Sequence, residues 1–189
     1  MLMFAFNKGG YMKITKYVDI PQFTRDGNWQ ANFSPKDLIT EIDRCVTEDG
    51  LQLEPDFQRG HVWTPEQQSA FMEYFLRSGK SGRVIYLNKP DWNRSVPTGA
   101  YNDFVCVDGL QRLTAIRGWL NDRVPVFGSL RSEFTDNLRS MSFTFLLNIN
   151  DLKSKKEVLQ WYIGMNAGGT PHSKEEIDKV QKLLESEGK

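Results

Sequence analysis

The sequence predicts a single mixed α/β (α+β) domain, a small mixed sheet flanked by helices, and three observations carry that prediction. A chain of 189 residues, 39% hydrophobic and 12% aromatic, can bury one sizeable core and is short for two. Short β-branched and aromatic runs are interrupted by segments of helical periodicity. The two kinds do not follow the regular βαβαβα succession of a doubly wound nucleotide fold, and no internal repeat or low-complexity tract is present.

The elements follow in order. "YMKITKYVDI", residues 11–20, reads as the first strand, so residues 1–11 are expected to be a flexible extension ahead of a domain covering 12–189, with Met12 a candidate start. A helix is predicted from Pro35 to Thr47: Ser34 can cap it, proline suits its first position, and Leu38, Ile39, Ile42, Cys45 and Val46 share one face. A short strand is expected at Leu51 to Leu53. Thr64-Pro65-Glu66-Gln67 is a capping box that opens a second helix with Phe71, Phe75 and Leu76 inside. "RVIYLN", Arg83 to Asn88, reads as a strand, and Lys89 to Asp103, rich in Pro, Asn, Gly and Asp, as an exposed hairpin or loop. Phe104 to Val107 is a buried strand, after which Leu110, Leu113, Ile116, Trp119 and Leu120 fall at helical spacing. "VPVF" (124–127) and "MSFTFLLNI" (141–149) are further strands. Ser154-x-x-Glu157 opens a helix bearing Leu159, Trp161, Tyr162 and Ile163, and Ser173-x-x-Glu176 caps a last, Lys- and Glu-rich helix.

Composition narrows the function. Lys plus Arg (24) balances Asp plus Glu (24), so the whole molecule has no polyelectrolyte grip on nucleic acid or anionic membrane. The distribution is uneven: residues 34–66 hold eight acids against three bases, and residues 77–123 eight bases against four acids. This pattern fits either a site with one positive face or two solvated faces of opposite sign. Cys45 and Cys106 lie far apart in apolar contexts and are expected to be reduced core residues of a cytoplasmic protein. Two histidines, His61 and His172, make neither a zinc site nor a Ser-His-Asp set. No apolar run approaches the ~18 residues of a membrane span, and "MLMFAF" lacks a basic leader and cleavage region, so no membrane partner is expected.

Three polar loops each lead into a helix. In Asp108-Gly109-Leu110-Gln111-Arg112 the helix start offers unpaired N–H groups, Gly109 permits close approach, and Arg112 adds a bidentate fork, all suited to phosphate. Asp108 suits Mg2+ or a water, and Gln111 a water or a base edge. The same residues also fit a plain helix start, with Asp108 as N-cap, Gly109 for the turn and Arg112 in a surface ion pair. Asp56-Phe57-Gln58-Arg59-Gly60-His61-Val62-Trp63 repeats the Asp, Gln and Arg chemistry before a capped helix, its Phe57 and Trp63 suited to the core. Asn166-Ala167-Gly168-Gly169-Thr170-Pro171 permits positive φ and consecutive N–H groups, an anion nest or only a turn.

In this order, "DFQRGHVW", "VDGLQRLTAI" and "NAGGTPHSKEE" resemble the N-terminal domain of the GmrSD type IV restriction enzymes, a family within the ParB and sulfiredoxin-like superfamily, across residues 12–180. Asp108, Gly109, Gln111 and Arg112 match its Asp-Gly-Gln-Gln-Arg signature, Gln58 and Arg59 its Phe-Gln-Arg element, and Asn166, Gly168 and Gly169 its later Asn-x-Gly-Gly element. Leu110 departs from the first signature glutamine and His172 from the leucine usual after Thr-Pro. Such proteins continue into an HNH-type nuclease domain, which two histidines do not supply.

The resemblance implies a ParB/sulfiredoxin-like fold that binds a nucleoside triphosphate and hydrolyses it with Mg2+. Arg59 and Arg112 with helix N–H groups would neutralise the phosphates; Asp108, with Asp56, would bind Mg2+ or orient the attacking water; Gln111 would hold that water in line. Gln58, Gly109, Asn166, Gly168, Gly169 and Thr170 complete the expected nucleotide site. DNA or a separate nuclease or effector subunit is the expected partner, in restriction of foreign DNA or its regulation. Two alternatives stand: a catalytically silent protein- or DNA-binding module of a phage or mobile element, and a ParB-like metal-dependent DNA nuclease.

Overall fold

In the computed structural model, which describes residues 13–17, 20, 23, 28–58, 60–94, 99–138, 143–166 and 174–187, helix α1 (Pro35–Glu48) begins where Ser34 predicts. The Ser34 hydroxyl accepts from the Asp37 N–H at 3.2 Å, and Leu38, Ile39, Ile42 and Cys45 are buried along one face. Helix α2 (Pro65–Leu76) has its reciprocal capping box: Gln67 N–H donates to Thr64 Oγ1 at 3.3 Å, and Thr64 N–H to Gln67 Oε1 at 2.9 Å. Helices α3 (Leu110–Leu120), α4 (Lys155–Asn166) and α5 (Lys174–Ser186) complete the α-helices among the described residues, and Arg131–Glu133 forms a short 3-10 turn.

Four strands, β1 (Trp29–Phe33), β2 (Val84–Asn88), β3 (Val105–Asp108) and β4 (Phe145–Asn150), form one sheet in the order β1-β4-β2-β3. The sheet is mixed, as predicted: β4 runs parallel to β2, with Ile85 opposite Leu147, while β1/β4 and β2/β3 are antiparallel. Its two faces bury two clusters. Ile85, Leu87, Cys106, Phe145 and Leu147 pack under α1, α2 and α3 with Met72, Phe75, Leu113 and Ile116. Val105 and Val107 pack on the other side against Val158, Leu159, Trp161 and Tyr162 of α4 and Val180 of α5. The result is three layers, helices on both faces of a four-stranded sheet.

Four sequence expectations need correction. Residues 13–17 and 20, inside the expected first strand, are not strand, and Tyr17 is 92% exposed. The N-terminal strand is instead β1, where Trp29, Ala31 and Phe33 alternate with exposed Gln30 and Asn32 and pair along β4. The segment at Leu51 to Leu53 shrinks to one parallel bridge, Gln52 to Val105, on the outer edge of β3. "VPVF" is a buried anchor rather than a strand: Val126 bonds both ways with Ser129 across Phe127 (φ +52°) and Gly128 (φ +79°), so the chain reverses at once. The last sheet strand starts at Phe145 and runs to Asn150; residues 139–142 lie outside the described residues, as do 1–12.

The acidic and basic segments meet in two ion pairs among the described residues. Asp43 of α1 pairs with Arg117 of α3, and Asp49 with Lys89 at 3.2 Å. No helix among the described residues is long and apolar enough to cross a membrane.

Candidate functional site

The β3–α3 junction is where the fold leaves backbone groups open. Asp108 ends β3 opposite Tyr86, and Gly109 turns the chain at φ +132° into α3 without any side-chain cap. Gly109, not Asp108, is therefore the N-cap, which corrects the plain helix-start reading. A Cβ at 109 would stand 2.7 Å from Ile85 Cδ1 and 3.1 Å from its Cγ2, so glycine is required by packing as well as by φ. The first bond into the helix runs from Leu113 N–H to Gly109 O at 2.9 Å, and the Gln111 and Arg112 N–H groups precede it with no acceptor within the helix.

A cleft of about 590 Å³ opens at this junction. Its walls are Gln58 and Trp63 from the loop before α2, Phe71 and Tyr74 of α2, the Ser81-Gly82 turn, Val107 to Arg112, and Tyr162 and Met165 of α4. Asp108, Gly109, Gln111, Arg112 and Gln58, separated by about fifty positions in the chain, thus meet in one place. Arg112 Nη2 lies 2.6 Å from Asp108 Oδ2, with the arginine side chain 13% exposed and the aspartate 43%. A guanidinium so enclosed is not the surface ion-pair residue that the alternative reading supposed. Leu110, at the position of the family's missing glutamine, is buried and lines the cleft floor.

The two glutamines are engaged with backbone. Gln111 Oε1 accepts from the N–H groups of Val62 (2.9 Å) and Trp63 (3.1 Å), and its Nε2 donates to Gly60 O at 3.1 Å. Both lone pairs of the amide oxygen are filled, leaving one N–H for anything else. Gln58 Nε2 donates to Cys106 O at 2.6 Å, on the same edge of β3 where Gln52 supplies the preceding bonds. Gln58 replaces the next strand partner after the chain turns away at Pro55. His61 Nε2 sits 3.2 Å from Gln68 Nε2, a further tie between this loop and α2. Burial, with Asp108 nearby, pushes the Cys106 thiol up to about 12.

Asp56 stands apart from this group. It does not line the cleft, and its carboxylate accepts from Lys155 Nζ at 2.7 Å, which holds the lysine pKa above its usual value. Among the described residues no three His, Cys, Asp or Glu side chains cluster as a metal cage, and Asp108 is the one carboxylate on the cleft wall. That donor set fits a Mg2+ that arrives with phosphate oxygens and waters of its own, not an all-protein site. Asn166 is the last residue of α4, directly after cleft-lining Met165. Arg59, between Gln58 and Gly60, lies outside the described residues, as do Gly168, Gly169 and Thr170.

Tyr74, Ser81, Gly82 and Met165 were not expected in the site. The Gly79 and Gly82 spacing after α2 was the available signal of a tight turn, but nothing in the local pattern points it at Arg112. Gly82 does approach that residue: a Cβ there would be 3.8 Å from Arg112 Cδ.

Comparison with curated proteins gives no match. The family described as the GmrSD restriction endonuclease, N-terminal domain, matches residues 36–146, more than half of the chain, from the start of α1 into β4 and across the whole β3–α3 junction. The chain belongs to the GmrSD restriction endonuclease N-terminal domain family.

Proposed function

We propose that the cleft binds a nucleoside triphosphate by its phosphates, with Mg2+, and hydrolyses the terminal phosphoanhydride, as the nucleotide-using module of a system that restricts foreign DNA. The observation that carries this is Arg112, a guanidinium 13% exposed and held inside a cleft at an uncapped helix start. Arg112 and the α3 amides face the phosphates and stabilise the charge that builds as water oxygen bonds to the terminal phosphorus and the bond to the bridging oxygen breaks. Asp108, next to Arg112, is suited to accept from the attacking water. Mg2+, when bound, supplies charge neutralisation of the phosphate oxygens, with Asp108 as its protein ligand.

Gln111 takes a different part from the one the sequence suggested. Its amide fastens the Gly60 to Trp63 backbone to α3, so it positions that stretch of the loop before α2. Arg59, Asn166, Gly168, Gly169 and Thr170 belong to the same proposal as phosphate-binding residues, as do DNA and a separate nuclease or effector subunit as partners.

Phosphate release from ATP, GTP, CTP and UTP, with and without Mg2+ and DNA, tests the reading against Arg112→Ala. Release by the parent protein, lost in the variant, is expected. Absence of release and of any nucleotide-induced rise in melting temperature overturns it.

A second reading, nucleotide binding without turnover, is favoured by the filled amide of Gln111, which leaves the cleft without that side chain's oxygen to hold a water. It predicts thermal stabilisation by nucleotide and no phosphate release. A cleft with one carboxylate on its wall gives little support to the nuclease alternative, since two-metal phosphodiester cleavage needs several.

A further inference from the structure

We infer that Tyr74 is the stacking platform for the base of a mononucleotide whose phosphates lie at Arg112; this rests on the phosphate-site reading above. Of the cleft aromatics, Tyr74 has free surface: it is 46% exposed, whereas Tyr162 is 4% exposed and packs edge-on against Phe57. Trp63 and Phe71 pack on each other at 5.4 Å, and Phe71 continues to Phe145 in the core at 6.2 Å.

The exposed ring is fixed at both ends. Its hydroxyl accepts from Ser81 N–H at 3.3 Å and Ser81 Oγ at 2.9 Å, and its backbone carbonyl accepts from Gly79 N–H at 2.9 Å. A Cβ on Gly79 would lie 2.3 to 2.5 Å from three ring atoms together, which places the bare glycine backbone beneath one face of the ring. The ring lines the cleft and keeps 46% of its surface exposed. An aromatic ring held in one rotamer before ligand arrives loses little conformational freedom on binding.

The same turn connects the ring to the phosphate end. Gly82, one residue after Ser81, lies against both Phe71 and Arg112, with a hypothetical Cβ 3.3 Å and 3.8 Å from them. The chain of contacts from Tyr74 to Ser81 to Gly82 to Arg112 spans one cleft whose volume of about 590 Å³ is that of a small-molecule site. The ligand class is therefore a mononucleoside polyphosphate. Stacking tolerates any base, so Tyr74 supplies affinity for a base without choosing which.

Isothermal titration of the whole chain with each of the four nucleoside triphosphates and with inorganic tripolyphosphate, all with Mg2+, tests this. The triphosphates are expected to bind on the order of tenfold more tightly than tripolyphosphate. Tyr74→Leu should erase that ratio. Gly79→Ala should erase it too, because it displaces the ring without deleting it, while Tyr74→Phe keeps it. If tripolyphosphate binds as tightly as the nucleotides, or Tyr74→Leu leaves the ratio intact, the platform is wrong and the phosphate site stands. If nothing phosphorylated binds, both fall. Tighter binding of a thymidine oligonucleotide than of every mononucleotide also overturns it, in favour of a strand-binding cleft.

Discussion

Gly109→Ala tests whether the signature glycine serves the fold before it serves a ligand. The residue sits at φ +132° and ψ −2°, where a side chain is strained, at a cost of about 1–3 kcal/mol. The new methyl would also meet Ile85, which is 0% exposed, with Cδ1 at 2.7 Å, Cγ2 at 3.1 Å and the backbone Cα at 3.5 Å. The approaches to Cδ1 and Cγ2 force the fully buried Ile85 side chain to shift, so overpacking adds about 1–3 kcal/mol. The expected loss is about 2–6 kcal/mol, a large share of the ~5–15 kcal/mol available to a typical domain. Urea unfolding followed by circular dichroism should show a lowered midpoint with an unchanged slope, and the melting temperature should fall by about 10 °C. Gly99→Ala is the control: no described atom lies within 4 Å of its Cβ position, so it should change stability by less than about 0.5 kcal/mol. A Gly109→Ala protein within about 1 kcal/mol of the parent would refute the packing of β3 and α3 described above. If the loss is as large as expected, weakened nucleotide binding in this variant says nothing about phosphate contact, and Arg112 must carry that question.

Arg112→Ala should abolish nucleotide stabilisation and cost about 1–2 kcal/mol by urea unfolding, more than a surface residue but limited because Asp108, 43% exposed, can be rehydrated. Asp108→Asn should cost less than about 1 kcal/mol, since it removes no helix cap, and should reduce the Mg2+ dependence of nucleotide binding measured by titration. Gln111→Ala strips three backbone groups of their partner and should cost about 1–3 kcal/mol, with faster hydrogen exchange at Val62 and Trp63; unchanged exchange would sink its positioning role. Both thiols are buried and pushed up, Cys45 to about 11 and Cys106 to about 12, so a disulfide reagent at neutral pH should titrate neither until denaturant is added. The hydrogen bond from Arg44 holds Glu41 below its ordinary pKa, so the folded chain binds fewer protons there; that stability is present at neutral pH and is lost as pH falls through the folded value. Glu41→Gln should thus lose less than about 1 kcal/mol at pH 7, with the gap to the parent closing below pH ~4.

What the sequence made legible follows the range of the interactions. Caps act over three residues, and Ser34, Thr64 and Gln67 announced α1 and α2 to within a residue. Strand β1 was missed because Gln30, Ala31 and Asn32 have poor strand propensity; Trp29, Ala31 and Phe33 are held by β4, more than a hundred positions away. Asn88, Asn148 and Asn150 are polar residues of strands, yet they are 0 to 2% exposed. Asn88 earns its burial by exchanging two hydrogen bonds with the backbone of Leu152, at 3.1 and 2.8 Å, which local pattern cannot foresee. The site divides the same way. Gly109 and Arg112 fall at the strand-to-helix junction that the local change of periodicity marks. The amides were ambiguous: Gln111 finds its partners 48 to 51 residues away, and nothing near it says whether it faces a ligand or a loop. Tyr74 lies on the exposed side of α2, where the pattern suggests only solvent.

Charge shows why the junction matters. The chain as a whole has no net charge, and its acidic and basic segments pair across elements through Asp43 with Arg117 and Asp49 with Lys89. Long-range attraction of a polyanion therefore has little to draw on, and any hold on phosphate has to be local. The junction supplies it from two sources that do not depend on net charge, the open amides of α3 and one enclosed guanidinium. Asp108 works against them, since its carboxylate stands 2.6 Å from that guanidinium, where a phosphate oxygen would compete for it. A negative group in that position weakens the binding of a bare polyphosphate and favours one accompanied by a divalent cation, with which the carboxylate changes from repulsive neighbour to ligand. For the proposed phosphate site, Asp108 and Arg112 would then act as a matched pair, the aspartate holding the arginine in place before a ligand arrives.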